Sequence, residues 1–267
     1  MDNTNRFMKV LKLGQSLCSS KVASGSAFEN LYSLDFDGVD DYLNIPDADV
    51  LSINNSGADR GFSMSFWLKL PTAGGNDIIN KGTFFNSGAY RYEYQVGINY
   101  LTRIAFIIYG NDNASIFQRI ILDQSLSTDT WYHIGFTYDL GSTSSSVKGY
   151  INGVYNSGAA YASGGTWAAP ANTVAPLEFA KRENNYGEAK LDEVALFDDE
   201  LSLAQIQNIY NSGTPTDLSS ESYLLGYWRN GDPTGSGAYP TIVDQSSNSN
   251  DGTMNNMSSS DIVTDAP

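Results

Sequence analysis

Carboxylates crowd two short stretches of the chain. In SLDFDGVDDYLNIPD (residues 33–47), Asp35, Asp37, Asp40 and Asp41 interrupt the strand-like run of Leu34, Phe36, Tyr42, Leu43 and Ile45. In LDEVALFDDE (191–200), Asp192 and Glu193 are followed by Asp198, Asp199 and Glu200. Acidic residues are poor strand formers and like charges side by side repel, so their placement needs a reason. One is cation binding: Ca²⁺ takes about six to eight oxygens from carboxylates, carbonyls and water. Asp37, the carbonyl of Gly38 and Asp40 offer such donors. The other is a solvated turn, with Asp40 and Asp41 shaping the bend. A third stretch, DQSSNSNDGT (244–253), has Asp and Asn at spacings like those of a calcium loop, but it lacks the closing bidentate Glu. Its side chains suit hydrogen bonds to their own turns.

The same residue types offer little for catalysis. The single histidine, His133, lies in WYHIGFTYD and shares a strand face with Trp131 and Thr137; such a residue reads as structural. The single cysteine, Cys18, is remote from it in sequence. No Gly-x-Ser-x-Gly elbow, zinc motif or phosphate-binding loop occurs. A retaining glycosidase needs two carboxylates about 5 Å apart. Asp192 and Glu193, as neighbours on a regular strand, are expected on opposite faces. Asp198, Asp199 and Glu200 precede a helix, where negative charge favours the N-terminus.

The elements that carry these residues are mostly strands. Phe62, Met64, Phe66, Leu68 and Leu70 alternate along one face of FSMSFWLKLP, as do Tyr132, Ile134, Phe136 and Tyr138. Asn152-Gly153 fits a type I′ hairpin turn. One helix is expected near residues 202–212. Ser202 and Gln205 form a capping box, Leu203, Ile206 and Tyr210 share a face, and Gly213 supplies the left-handed C-terminal position. Many short strands with one helix predict an all-β, antiparallel two-sheet sandwich.

The chain has 267 residues, long enough for one sandwich with a sizeable core. Thirty acidic residues against 15 basic ones give a net charge of −15. That excludes the clustered basic surface on which nucleic-acid binding depends, and it disfavours anionic membranes. No apolar run reaches the length of a membrane span. Residues 1–30 contain Arg6, Lys9, Lys12 and Lys21 and read as an attachment arm, not a signal peptide, because Lys12, Gly14 and Gln15 break any apolar core.

Five segments together carry a family resemblance: LDFDGVDDYLNIPD, FSMSFWLK, WYHIGFTYD, VKGYINGV and AKLDEVALFDDELSLAQIQNIYNSG. They resemble the laminin-G-like, concanavalin A-like jelly-roll domains over about residues 33–213. The resemblance implies a structural Ca²⁺ held between the Asp37-Gly38 turn and the late strand. In this sequence its ligands would be Asp37, Gly38 and Asp192, with Asp40 nearby. Jelly-roll glucanases of similar fold carry a Glu-x-Asp-x-(x)-Glu strand, and no such run occurs here, so the expectation is a non-enzyme.

The tail LLGYWRNGDPTGSGAYPTIVDQSSNSNDGT resembles the segment that usually opens such a domain. This divides the chain into an arm (1–30), a jelly-roll (31–213), a linker (214–222) and a C-terminal strand and tail (223–267). The tail is expected to complete the same sandwich in permuted order; packing on a neighbouring chain is the alternative. LKLGQSLCSSK and NDGTMNNMSSSDIVTDAP are similar to the arms and tails of jelly-roll proteins of marine tailed bacteriophages. That likeness implies a virion component (capsid decoration, fibre or tail-associated) assembled in the host cytoplasm. It would attach to other virion proteins through the arm, as a monomer or an oligomer, and could contact host surface glycans. Among the aromatic residues, Trp167 in the Gly- and Pro-flanked loop YASGGTWAAP is the candidate sugar platform; a loop anchor is the alternative. A secreted carbohydrate-binding module is the competing reading, and an atypical glucanase the third.

Overall fold

A computed structural model describes residues 28–55, 58–73, 77–85, 89–99, 102–110, 113–163, 165–167, 169–232 and 237–267. Residues 1–27, with Cys18 and the basic residues of the arm, lie outside the described residues.

Two antiparallel sheets face each other. In the eight-stranded sheet the order is Val154–Asn156, Val147–Ile151, Trp131–Tyr138, Phe62–Lys69, Glu188–Phe197, Ser33–Asp37 and Ile262–Val263, with Leu224–Trp228 also paired to Glu188–Phe197. In the ten-stranded sheet it is Ala159–Ala162, Asn113–Ser125, Arg103–Gly110, Ala89–Asn99, Asp77–Phe85, Leu177–Phe179, Tyr42–Ile45, Gly252–Asn255, Thr241–Ile242 and Gly237–Ala238. The period-2 pattern explains the core. Phe62, Met64, Phe66 and Leu68 are fully buried, as are Ile134, Phe136 and Tyr138, and opposite them lie Tyr94, Val96, Ile104, Phe106 and Ile108.

The helix Leu203–Tyr210 docks on the outer face of the eight-stranded sheet. Its capping box is present: the Ser202 hydroxyl accepts from the Gln205 backbone, and the Gln205 side chain accepts from the Ser202 N–H. The buried face differs from the expected one. Ile206 and Ile209 point inward, onto Tyr150, Phe197, Leu224 and Tyr227, whereas Leu203 is exposed. Asn211, not Gly213, takes the left-handed cap, because an Asn side chain tolerates that conformation and the helix ends two residues earlier.

The C-terminal segment packs on its own chain. Trp228 pairs with Val194 and Tyr227 with Ala195, while Leu34 pairs with Leu191 and Asp37 with Glu188 on the same edge of that strand. Leu224–Trp228 and Ser33–Asp37 are therefore collinear, one continuing the row of the other. Trp228 is wholly buried in the main core, its ring edge-on to Phe179, and it donates Nε1–H to the Asn250 carbonyl at 2.9 Å. Residues 214–222 are not a bare linker, since Leu218 is buried beside the helix.

Candidate functional site

The outer face of the ten-stranded sheet carries a cleft of about 610 Å³. Its floor follows from register. Along Ala89–Asn99, Tyr94, Val96 and Ile98 turn inward, which leaves Gln95, Gly97 and Asn99 on the outer face. Gly97 lies directly opposite Ala105 on the next strand, and Ile107 follows two positions on. Two adjacent positions with almost no side chain open the hollow. One wall is the hairpin Lys181–Arg182 and Asn185–Tyr186, turned tightly by Glu183 at φ +60°. The other is the turn at Gly38 and Val39.

The side chains in the cleft hold one another. Asp77 accepts from Gln95 Nε2 at 3.0 Å and faces Arg182 Nε at 3.0 Å, and the Tyr109 hydroxyl donates to Gln95 Oε1 at 3.0 Å. Tyr92 donates its hydroxyl to Glu183, tying the hairpin to the sheet. Burial raises the Asp77 carboxyl above its ordinary range, opposed by Arg182 and Gln95. Tyr186 lies beside Tyr42, with ring centroids 6.2 Å apart. Planar donors and acceptors, an aliphatic floor and an aromatic edge together suit a polyhydroxylated ligand. Asp77 is the one carboxylate among the described residues lining the cleft.

The carboxylates singled out in the sequence form two separate groups, not one. Asp37 closes its own turn: Oδ1 accepts from Val39 N at 2.8 Å, Asp40 N at 3.3 Å and Asp41 N at 3.4 Å. Gly38, at φ +72°, is required there, because an added Cβ would lie 2.8 Å from Glu188 Cβ. Asp40 is exposed and Asp41 is buried, its carboxyl pushed up to about 6 chiefly by burial. The proposed ligand set Asp37, Gly38, Asp40 and Asp192 does not assemble. Register places Asp37 opposite Glu188, and Asp192 lies four residues further along that strand, roughly 13 Å away at strand rise.

Asp192 instead meets Glu193 and Asp232, each offering an oxygen within 4.8 Å of the others, and all three are buried. The expectation that Asp192 and Glu193 face opposite ways fails at a β-bulge. Register shifts between Asp192 and Ala195, and Glu193 takes φ +49°, which breaks the alternation. Burial, and after it mutual repulsion, raises the Asp192 carboxyl far above its ordinary range; burial likewise raises Glu193. A carboxylate pair this close and this enclosed has no path to a glycan. The other expected positions are structural. Asp244 accepts from Tyr227 N, Ser246 N and Asn250 N at 2.8–2.9 Å and ties the tail to its strand. His133 is wholly buried, bonded through Nε2 to Ser65 Oγ at 2.8 Å and flanked by Trp67 and Tyr210. Trp167 anchors its loop: it is half-buried against the core, edge-on to Tyr138, and an added Cβ on Gly110 would meet its ring at 2.7 Å.

The sequence profile of the concanavalin A-like lectin/glucanases superfamily matches residues 37–207. The chain belongs to that superfamily. No curated protein sequence matches it. Among solved structures it is similar to a Bacteroides ovatus protein provisionally assigned as carbohydrate-binding. That match has 18% identity and a TM-score of 0.59, and covers 90% of this chain and 62% of that one. It is also similar to the SAP-like pentraxin of Limulus polyphemus (13%, TM-score 0.45, 69% of this chain and 84% of that one). Botulinum neurotoxin type C, whose cell entry depends on two ganglioside molecules, matches at 17% and a TM-score of 0.49 over 70% of this chain and 43% of its own. The chain thus spans less than two thirds of the Bacteroides protein.

Within this concanavalin A-like sandwich, the cleft residues Asp77, Gln95, Asn99, Arg182, Asn185 and Tyr186 escaped sequence reading. Two traces of them existed. Gly97 sits inside a strand pattern, which marks a close approach or an opening. The polar run in AKRENNYG is unusual for a connection between two buried strands.

Proposed function

We propose that this chain is a non-enzymatic glycan-binding sandwich whose ligand lies in the cleft on the ten-stranded sheet. The observation that carries the reading is Asp77, which accepts from Gln95 and faces Arg182 at 3.0 Å each, over a floor of Gly97, Ala105 and Ile107. Side chains fixed before binding lose little entropy when a sugar's hydroxyls replace their water. Among the described residues the cleft offers one carboxylate, Asp77, where glycosidic cleavage takes a pair. The provisional carbohydrate-binding assignment of the Bacteroides ovatus protein supports the same class of ligand.

Glycan-array binding with the full chain, followed by titration of Arg182→Ala and Gln95→Ala, tests the reading. Binding that both substitutions weaken at least tenfold is expected; an array without signal, or hydrolysis of a bound glycan, overturns it. We further propose that the domain is displayed on a phage particle through residues 1–30, a reading that rests on the sequence likeness of arm and tail. Mass spectrometry of purified particles tests it, and absence of the chain from them overturns it.

A further inference from the structure

Four side chains from four strands stand in one row on the outer face of the eight-stranded sheet. Register sets Trp131 opposite Lys69, Lys69 opposite Lys190, and Lys190 opposite Asp35. Their neighbours Leu68, Leu191 and Leu34 are fully buried and point inward, so the row points outward. Two lysines directly opposite each other repel. Asp35, 3.6 Å from Lys190, offsets one of the two charges. Asp265, from the C-terminal segment, offsets the other. Its carboxylate accepts from Lys190 Nζ at 2.6 Å, from Lys69 Nζ at 3.0 Å and from Trp131 Nε1–H at 3.2 Å. Burial opposes ionisation there, yet the bonds from Lys190, Lys69 and Trp131 lower the Asp265 carboxyl to about 2.

The row receives a carboxylate carried on an extended backbone. Val263 and Ile262 pair with Ser33 and Leu34 on the outer edge of Ser33–Asp37, and the Ser33 hydroxyl donates to the Asp265 carbonyl at 2.8 Å. Ile262 also fits against Gly231, where an added Cβ would lie 2.5 Å from Ile262 Cγ2. The contacts are specific, but the grip is light. The ladder is two residues long, and none of residues 262–267 is fully buried. Met257, further back, is held in the core. The segment therefore lifts off without opening the sandwich. When it does, the edge of Ser33–Asp37 bares unpaired backbone groups, a template for another strand. The opposed lysines lose their counter-charge at the same moment.

We infer that the edge of Ser33–Asp37 and the row of Trp131, Lys69 and Lys190 form an interaction surface between copies of this chain, which takes the segment Ile262–Asp265 of a second copy in exchange for its own. The added strand supplies main-chain pairing, and Ile262 and Asp265 supply specificity. Exchange keeps the same contacts in a new pairing, which is a low-cost route to a dimer. Extended from its anchor at Met257, the chain reaches about 26 Å by Asp265, enough to cross to an adjoining sheet edge. The surface is separate from the cleft, which opens on the other sheet.

Two full-length variants test the exchange. Asp265→Ala keeps the receiving row and spoils the segment, whereas Lys190→Ala keeps the segment and spoils the row. Alone, neither variant forms an intact contact. Mixed, the segment of Lys190→Ala meets the row of Asp265→Ala, and light scattering is expected to show association at least tenfold tighter than in either variant alone. A fluorescent peptide of residues 258–267 supplies the segment without depending on the folding of Lys190→Ala. It is expected to bind the Asp265→Ala chain, and the same peptide carrying Asp265→Ala should bind at least tenfold more weakly. The proposal is overturned if the mixture associates no more than the separate variants, or if the peptide binds equally with and without its carboxylate. A peptide of the same composition in scrambled order that binds as well also overturns it, since a carboxylate alone would then satisfy the row.

Discussion

Asp232 reaches across 201 positions to Leu31. Its Oδ1 accepts the backbone N–H of Leu31 at 2.5 Å and of Tyr32 at 3.0 Å, and its Oδ2 faces Arg229. Arg229 in turn lies over the Phe28 ring, 4.3 Å from its centroid. The carboxylate thus splices the end of Leu224–Trp228 to the start of Ser33–Asp37, two segments that share one row of the sheet.

The splice predicts that chain order can be changed at small cost. A chain starting at Tyr223, with Pro267 joined to Phe28 by a short Gly-Ser linker and ending at Ser222, should fold to the same sandwich. Its melting temperature should lie within a few degrees of the parent, because loop-closure entropy varies slowly with loop length. Near-ultraviolet circular dichroism and thermal melting check this. Asp232→Ala in the parent, by contrast, should cost about 2–4 kcal/mol, since two backbone N–H groups lose their acceptor and a buried guanidinium loses one of its two carboxylates. Urea denaturation measures it.

Gly38 tests the reading of the acidic turn. Its φ of +72° and the 2.8 Å approach of Glu188 Cβ to an added Cβ both oppose a side chain. Gly38→Ala is expected to destabilise by about 1–3 kcal/mol, whereas Asp40→Asn, at an exposed position, should fall within about 0.5 kcal/mol of the parent. Comparable losses for the two variants would sink this account of the turn.

What the sequence shows and hides follows from the range of the interactions involved. Phe62, Met64, Phe66 and Leu68 announce their strand because alternation is local, and Ser202 with Gln205 announces the helix start for the same reason. The bulge at Glu193 leaves no such trace. Glutamate has no preference for positive φ, and only pairing with Phe62–Lys69 on one side and Leu224–Trp228 on the other forces it. Asp192 and Glu193 were therefore legible as acidic neighbours, while their meeting with Asp232 was not. Likewise the cleft depends on Gly97 meeting Ala105, a register fact beyond the reach of either strand alone.

Trp167 and Arg182 separate stability from binding. Trp167→Ala removes a half-buried ring packed on the core and should cost about 2–3 kcal/mol, with glycan affinity kept in the folded fraction. Arg182→Ala should move the melting temperature by no more than a few degrees, since its partner Asp77 keeps Gln95, yet it should lower affinity at least tenfold. Parallel melting and titration of both variants decide the matter. If Trp167→Ala loses the ligand and Arg182→Ala keeps it, the cleft is in the wrong place.

His133 gives the domain a defined acid sensitivity. Burial lowers its pKa from the ordinary 6.5 to about 3, so the folded chain holds a neutral imidazole at any moderate pH. Between those values the unfolded chain binds a proton that the folded chain does not. The stability His133 contributes is therefore complete above about pH 6.5 and is lost progressively as pH falls toward 3, reaching about 5 kcal/mol over the full interval. The other titrating groups do not all act in the same direction. Asp41, raised to about 6 by burial, favours the folded chain at low pH and loses that contribution as pH rises from about 4 through 6. Asp192 and Glu193 act as Asp41 does, in the parent and in His133→Gln alike, so urea unfolding of the two chains isolates the imidazole: the parent's stability relative to His133→Gln should fall by about 2–3 kcal/mol between pH 7 and pH 4.5. Gln has no charge to gain on unfolding, and its amide can still reach Ser65 Oγ, which His133 Nε2 meets at 2.8 Å. An unchanged slope in His133→Gln would mean that carboxylates, not this imidazole, set the acid limit of the fold.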